Sequence, residues 1–351
     1  MDKSAVISYI ESSFIKDILT NNEVTDISYN GKHIYFTTNK NGNERSGVEI
    51  SQNEVKDFLR QIANIVEKQF NYLNPILDLN IGRYRINATY SSVGRFVEEG
   101  VVTFVIRIAS ICPKITNNHK FMPIEVESLF DELIKAHYSI VISGVPGTGK
   151  TELQKYLISR INPLEKVLII DNTIELSSLQ NDEERNITLW QADEKNKEAS
   201  VTSLIKNGLR NNPDWMIVSE ARGSEMNDLL LSVMTGVPII TTIHSLDAFT
   251  APSRMAKSIM MNEKRIAYED VISNINEHFK IFVHLKKYID KNHHIVRYIS
   301  SIVEIDDKGN QKEIYKDDLK KKKFVKISNN LSISLLINKK TSSLGGFIKN
   351  E

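Results

Sequence analysis

Gly144-Val145-Pro146-Gly147-Thr148-Gly149-Lys150-Thr151 reads G-x-x-x-x-G-K-T, the pattern of a loop that cradles phosphate. Each fixed position has a mechanical reason. The glycines let backbone N–H groups turn inward around anionic oxygens, Lys150 supplies a point charge, and the Thr151 hydroxyl can hold Mg²⁺. The flanks agree with the motif. Tyr138 to Ser143 (YSIVIS) is a short, β-branched apolar run that predicts a strand. Glu152 to Arg160 carries Leu153, Tyr156, Leu157 and Ile158 and predicts an amphipathic helix. A strand feeding a helix N-terminus aims amides and the positive end of the dipole at a phosphate. The motif fixes the ligand class and leaves the job open.

Outward from this loop the chain is unremarkable in bulk. Its 351 residues suffice for two domains. With 45 basic and 44 acidic residues there is no global field to recruit nucleic acid. A single cysteine, Cys112, excludes an intramolecular disulfide and a cysteine-rich zinc site, which fits a reducing cytoplasm. The opening MDKSAVISYIESSF lacks the long apolar core of a signal peptide. No run approaches the ~20 apolar residues of a membrane span. Membrane association is therefore expected to be peripheral or through a partner.

The first part of the chain predicts an α+β domain over residues 1–109. Ser4 to Leu19 has Ile7, Ile10, Phe14, Ile15 and Ile18 near one helical face, and Ser51 caps a second helix with Val55, Phe58, Leu59 and Ile62 at helical spacing. Strands are expected at Val24 to Tyr29 and His33 to Thr37, joined at Asn30-Gly31, and again at Tyr84 to Tyr90 and Val101 to Ile108. Residues 110–123, with two prolines and no periodicity, read as a linker. Over 124–351 apolar strands at Val167 to Asn172, Trp215 to Ser219 and Pro238 to Thr242 alternate with helices at Thr202 to Arg210 and Ser224 to Met234. That pattern predicts a parallel sheet covered by helices on both faces. From about Tyr268 the sequence is less legible. It holds Lys320 to Lys323 and a tail ending in Gly345-Gly346.

A hydrolase needs a carboxylate for water, support for Mg²⁺, and positive charge for the transition state. Asp171-Asn172-Thr173-Ile174-Glu175 follows an apolar strand, where parallel sheets face their ligands. Trp215 to Ser219 leads into Glu220, as a Walker B strand leads into its carboxylate, with Arg222 and Glu225 spaced for an ion pair at a helix start. Thr241-Thr242-Ile243-His244 ends a third strand with polar side chains, and His244 is placed to bond a γ-phosphate.

In this order the segments resemble the type II/type IV secretion-system traffic ATPase family. That family follows its phosphate loop with an acidic box, a Walker B of the form L-R-x-x-P-D-x-x-x-x-G-E-x-R-x-x-E, and a histidine box ending T-x-H. The chain matches at Leu209, Arg210, Pro213, Asp214, Glu220, Arg222 and Glu225, then at Thr235, Gly236, Thr241, Thr242 and His244. In the first half, Glu23 to Gly31, the G-x-R-x-N-A pattern at Gly82 to Ala88 and Val105-Ile106-Arg107 are similar in layout. Three positions depart: Ser219 for the usual Gly, Asp171-Asn172 for Glu-Asp, and Val237 for a first histidine.

The resemblance implies a RecA-like α/β ATPase domain behind a smaller α+β domain, in a cytoplasmic homohexamer at the inner face of the membrane. Its partners would be inner-membrane subunits of a secretion, conjugation or pilus machine. It implies ATP and Mg²⁺ as ligands, with nucleotide lying between the two domains of a subunit. Gly144, Gly147, Thr148, Gly149, Lys150 and Thr151 would hold the phosphates, and Thr151 with Glu220 would hold the metal. Glu175 is the expected general base, with Glu220 as alternative, His244 as a γ-phosphate contact and Arg222 as a charge stabiliser. Arg85 and Arg107 would reach the phosphates from the first domain. The single cysteine excludes the branch with a tetracysteine zinc insertion. Two other readings compete: a nucleic-acid translocase or helicase on the same core, supported only by Lys320 to Lys323, and a nucleotide-binding scaffold that does not hydrolyse.

Overall fold

Alternation of buried and exposed side chains organises both parts of the chain in the computed structural model. The structure describes residues 3–109, 115, 118–173, 175–193, 195–223, 225–262 and 266–332. Cys112, most of the expected linker, Ile174, Ser224 and the tail with Gly345-Gly346 lie outside the described residues. Two compact units emerge, Met1–Ile111 with Ile289–Val296, and Cys112–Tyr288 with Arg297–Glu351.

In the first unit, helices α1 (Lys3–Glu11), α2 (Lys16–Leu19) and α3 (Gln52–Ile65) accompany a six-stranded sheet. The strands are β1 (Val24–Tyr29), β2 (Ile34–Thr38), β3 (Gly42–Arg45), β4 (Ile76–Ile81), β5 (Tyr84–Thr89) and β8 (Thr103–Ile108), in the order β3-β2-β1-β8-β5-β4, and every pairing is antiparallel. A small hairpin, β6 (Arg95–Phe96) and β7 (Glu99–Gly100), precedes β8. Helix α3 starts at a capping box in which Ser51 and Glu54 satisfy each other's backbone amides. Val6, Ile10, Val55, Phe58, Leu59 and Ile62 bury against Ile27, Tyr84, Ile86, Phe104 and Ile106 of the sheet. The single helix expected over Ser4 to Leu19 is two helices, because the Ser12 and Ser13 hydroxyls bond back to the carbonyls of Ser8 and Ile10.

The second unit is built on β9 (Ile140–Gly144), β10 (Val167–Asp171), β11 (Ile187–Gln191), β12 (Trp215–Val218), β13 (Ile239–Ile243), β14 (Ile281–Ile289), β15 (Ile295–Ile305), β16 (Gln311–Asp317) and β17 (Lys322–Phe324). Their order is β11-β10-β12-β13-β9-β14-β15-β16-β17. From β11 to β14 the strands run parallel, as expected. The sheet as a whole is mixed, because β16 pairs antiparallel with both β15 and β17. Two cores sandwich it. Ile140, Ile142, Ile169, Ile217 and Ile240 face α4 (Ile124–Lys135) and α5 (Lys150–Arg160). Val141, Leu168, Ile170, Met216 and Val218 face α6 (Val201–Gly208), α7 (Glu225–Met234), α8 (Ala251–Asn262) and α9 (Tyr268–His278). Phe121 and Met122, read as part of a linker, are buried in the first of these cores.

Helix α6 approaches the sheet through a glycine. A Cβ on Gly208 would stand 2.5 Å from Leu168 Cδ2 and 3.2 Å from Met216 Cε. Gly208→Val is therefore expected to cost about 2 kcal/mol, measured by urea denaturation. An unchanged midpoint would show that this contact yields freely.

Lys320 to Lys323 form a turn and the start of the edge strand β17, and all four are exposed. The Lys320 and Lys321 amides both donate to Asp318 Oδ1. Lysines on a sheet edge keep it from pairing with another chain, which accounts for the run without nucleic acid.

Candidate functional site

Parallel register carries the C-terminal ends of β9, β10, β12 and β13 to one edge of the sheet. Gly144, Asp171, Ser219-Glu220 and His244 therefore arrive together, although 100 positions separate the first from the last.

The loop after β9 has partners for its first four carbonyls. Gly144 O accepts from Lys150 Nζ at 3.0 Å and faces His244 Nδ1 at 3.1 Å. Val145 O accepts from Thr148 Oγ1 at 2.9 Å. Pro146 O accepts from Lys287 Nζ at 3.0 Å, and Gly147 O accepts from Arg297 Nε at 2.8 Å. By contrast, the amides of Gly147 to Thr151 donate to no acceptor among the described residues. A row of spare amides at a helix N-terminus can cradle an anion. Gly144 is required here: its φ is +153° and a Cβ would meet Thr148 Oγ1 at 2.7 Å and Leu285 O at 2.8 Å. Gly149, at φ +95°, opens α5.

Burial holds the Lys150 ammonium below the usual lysine range, against the pull of the nearby Glu220 and Glu175 carboxylates. Glu220 is buried too, which alone would raise its carboxyl. The Arg222 guanidinium hydrogen-bonds it and holds it below the usual carboxylate range instead. Arg222 thus serves Glu220, and the alternative of a plain surface pair with Glu225 is not what forms. Glu225 Oε1 takes up the backbone amides of Arg222 and Gly223 at the start of α7. His244 Nε2 stands 2.6 Å from Glu220 Oε1, and that oxygen accepts no hydrogen bond.

Asp171 braces the neighbouring turn. Its Oδ1 accepts from Thr173 N and Oγ1, and its Oδ2 from Leu176 N, on either side of Glu175. Glu175 acts electrostatically on both Lys150 and Arg222. Two of the departures from the family pattern meet each other here. Ser219 Oγ donates to Asn172 Oδ1 at 2.7 Å and accepts from Asn172 N at 3.1 Å, while Asn172 Nδ2 donates to Glu220 O. They tie the turn of Glu175 to the turn of Glu220. Asp214 has a local task, accepting Lys166 N at the entry to β10.

Arg85 and Arg107 belong to the other unit. They are direct cross-strand partners on β5 and β8, and Arg107 Nε donates to Asp26 Oδ1 at 3.2 Å. Like charges placed opposite each other weaken a sheet. Arg85 makes no ion pair among the described residues, whereas Arg107 is paired with Asp26.

Mg²⁺ fits the donor set in the second unit. Thr151 stands in the first turn of α5, and the buried Glu220 Oε1 has a vacant acceptor position. No group of three His, Cys, Asp or Glu capable of holding a metal occurs among the described residues. The remaining positions on the ion would go to waters and phosphate oxygens, as Mg²⁺ prefers. Sequence reasoning missed Lys287 and Arg297, which no motif marks and which reach the loop from 141 and 150 positions away.

Residues 75–287, more than half of the chain, match the family described as type II/IV secretion system protein. The chain belongs to this family. An uncharacterized protein of Bacillus anthracis is 29% identical over 330 residues, covering 87% of this chain and 72% of that protein. The type IV secretion system protein VirB11 of Bartonella henselae is 24% identical over 254 residues, 61% of this chain and 70% of that one. Among solved structures, the ATPase DotB of Legionella pneumophila shares the fold, with a TM-score of 0.61 at 20% identity over 84% of this chain and 81% of that one. No helix among the described residues is long and apolar enough to cross a membrane.

Proposed function

We propose that this chain is an ATP hydrolase that works as a ring of six copies and drives a type IV secretion or conjugation apparatus. The observation that carries the reading is the loop at Gly144 to Thr151, with its carbonyls held and its amides spare, beside a buried lysine and a carboxylate. Membership in the secretion family and the likeness to VirB11 support the machine.

In this reading the amides of Gly147, Thr148 and Gly149 and the Lys150 ammonium bind the β- and γ-phosphates. Thr151 and Glu220 would hold Mg²⁺, which would supply positive charge to the phosphate oxygens. Glu175 takes the proton of the attacking water. His244 lies between Glu220 and the loop, where it registers the γ-phosphate. Arg222 keeps Glu220 ionised and adds positive charge. Arg85 and Arg107 would supply further cations to the phosphates, an assignment supported by the match of their strands to the family pattern. An arginine brought to a transferring phosphoryl group is worth ~10³ in rate or more. Because the contact exists only while the γ-phosphate does, hydrolysis changes it. The protein would act at the cytoplasmic face of the membrane, bound to secretion subunits.

The test is turnover together with mass. Mg²⁺-dependent release of phosphate from ATP, and a sixfold mass in light scattering with a non-hydrolysable analogue, are the expected results. A protein without turnover that stays monomeric would sink the motor. Turnover that requires added DNA would favour the translocase.

A further inference from the structure

We propose that Lys287 on β14 and Arg297 on β15 are positioning residues that set the phosphate-binding shape of the loop by holding its outer carbonyls. The inference rests on the nucleotide reading above and extends it to a stretch that no sequence motif covers.

A trans peptide unit is planar, with its C=O and N–H pointing in opposite directions. Aiming the Pro146 carbonyl at Lys287 Nζ therefore aims the Gly147 N–H the other way. Aiming the Gly147 carbonyl at Arg297 Nε does the same for the Thr148 N–H. These are two of the amides that donate to nothing else among the described residues. Gly147 makes both orientations possible at once, because its φ of +75° lies where other residues are strained.

The donors are charged, and that has a second effect. A cation at the oxygen end polarises the peptide and makes its N–H a better donor. Both charges also raise the local positive potential. Arg297 Cδ and the ring of Phe121 both lie beside Gly149, 3.8 and 3.5 Å from where its Cβ would stand, and Ile299 N donates to Phe121 O. Burial holds the Arg297 guanidinium below the usual arginine range, against the pull of the Glu152 carboxylate. Keeping a cation there costs free energy, which a nearby polyphosphate would return. The contacts of Lys150 and Thr148 fix the first half of the loop from within. Lys287 and Arg297 fix its second half from outside.

The experiment titrates the full chain and its variants with ADP, inorganic pyrophosphate and adenosine by calorimetry, with thermal midpoints recorded alongside. Arg297→Met is expected to weaken ADP and pyrophosphate about tenfold and to leave adenosine unchanged. Lys287→Met, at an exposed position where folding is not at stake, is expected to weaken both severalfold. Arg297→Lys and Lys287→Arg should recover part of the loss, which a packing defect would not allow. Equal affinity for pyrophosphate in parent and both Met variants would overturn the clamp while leaving the nucleotide reading intact. A parent that binds neither ADP nor pyrophosphate would overturn both.

Discussion

Lys150→Ala is expected to lower ATP affinity by about 10²-fold or more and to reduce turnover to background. Two features of the site set that magnitude. The ammonium is buried, so its field is poorly screened. It is also already directed into the loop, with Nζ 3.0 Å from Gly144 O, so little reorganisation is needed when a phosphate arrives. Stability should change little, because the variant removes a partly desolvated charge whose acceptor keeps His244 as a neighbour. The pH dependence follows from the direction of the shift. Burial depresses the free lysine, whereas bound phosphates would raise it. A group raised on binding contributes affinity that is complete below its free value and is lost as pH rises through its bound value. Nucleotide affinity should therefore fall on the alkaline side, and Lys150→Arg should abolish that fall, since a guanidinium does not deprotonate there. Phosphate release and nucleotide titration across pH measure both effects. Turnover above a tenth of the parent's in Lys150→Ala would remove the lysine from the mechanism.

How far such a site can be read in advance depends on how local its signals are. The loop, Glu220 and His244 were legible because each sits where an apolar strand ends, and strands that end together in a parallel sheet deliver their next residues together. The partners of those residues were less so. The spacing of Arg222 and Glu225 suggested a pair, but a helix start has spare amides of its own, and Glu225 is used on them. Ser219 and Asn172 look like two separate departures from a pattern and are one hydrogen-bonded latch.

The strands show the same limit. β4 (ILDLNI) has alternating burial that a propensity reading passes over, because Asp78 and Asn80 are poor strand formers on its outer face. β14 begins as a fully buried apolar run and continues with exposed Lys286, Lys287 and Tyr288. Its periodicity changes midway, which hides both the strand and the cation that the loop uses. Contacts such as Lys287 with Pro146 depend on sheet order, and no local window of sequence contains that.

The two carboxylates should separate cleanly by kinetics. Glu175→Gln is expected to lower kcat by 10²- to 10⁴-fold, roughly the value of a general base, with KM for ATP and the Mg²⁺ requirement near those of the parent. Glu220→Gln should lower kcat as well, but with a several-fold higher Mg²⁺ half-saturation. The reasoning starts from basicity. Arg222 holds Glu220 below the usual carboxylate range, so it is a poor acceptor for a proton that must leave water. What it offers is a fixed negative charge and one buried oxygen with no hydrogen-bond donor, the properties that suit water on a cation. Glu175 stands on a turn pinned on both sides by Asp171, which fixes the backbone that carries its half-buried side chain. A double variant supplies the decisive comparison. If the two residues act on different steps of one reaction, removing the base already leaves so slow a step that the second change adds less than its separate effect. If instead Glu175→Gln raises the Mg²⁺ requirement and Glu220→Gln does not, the assignments exchange, and the carboxylate tied to Arg222 would have to gain basicity when that arginine turns to the phosphate.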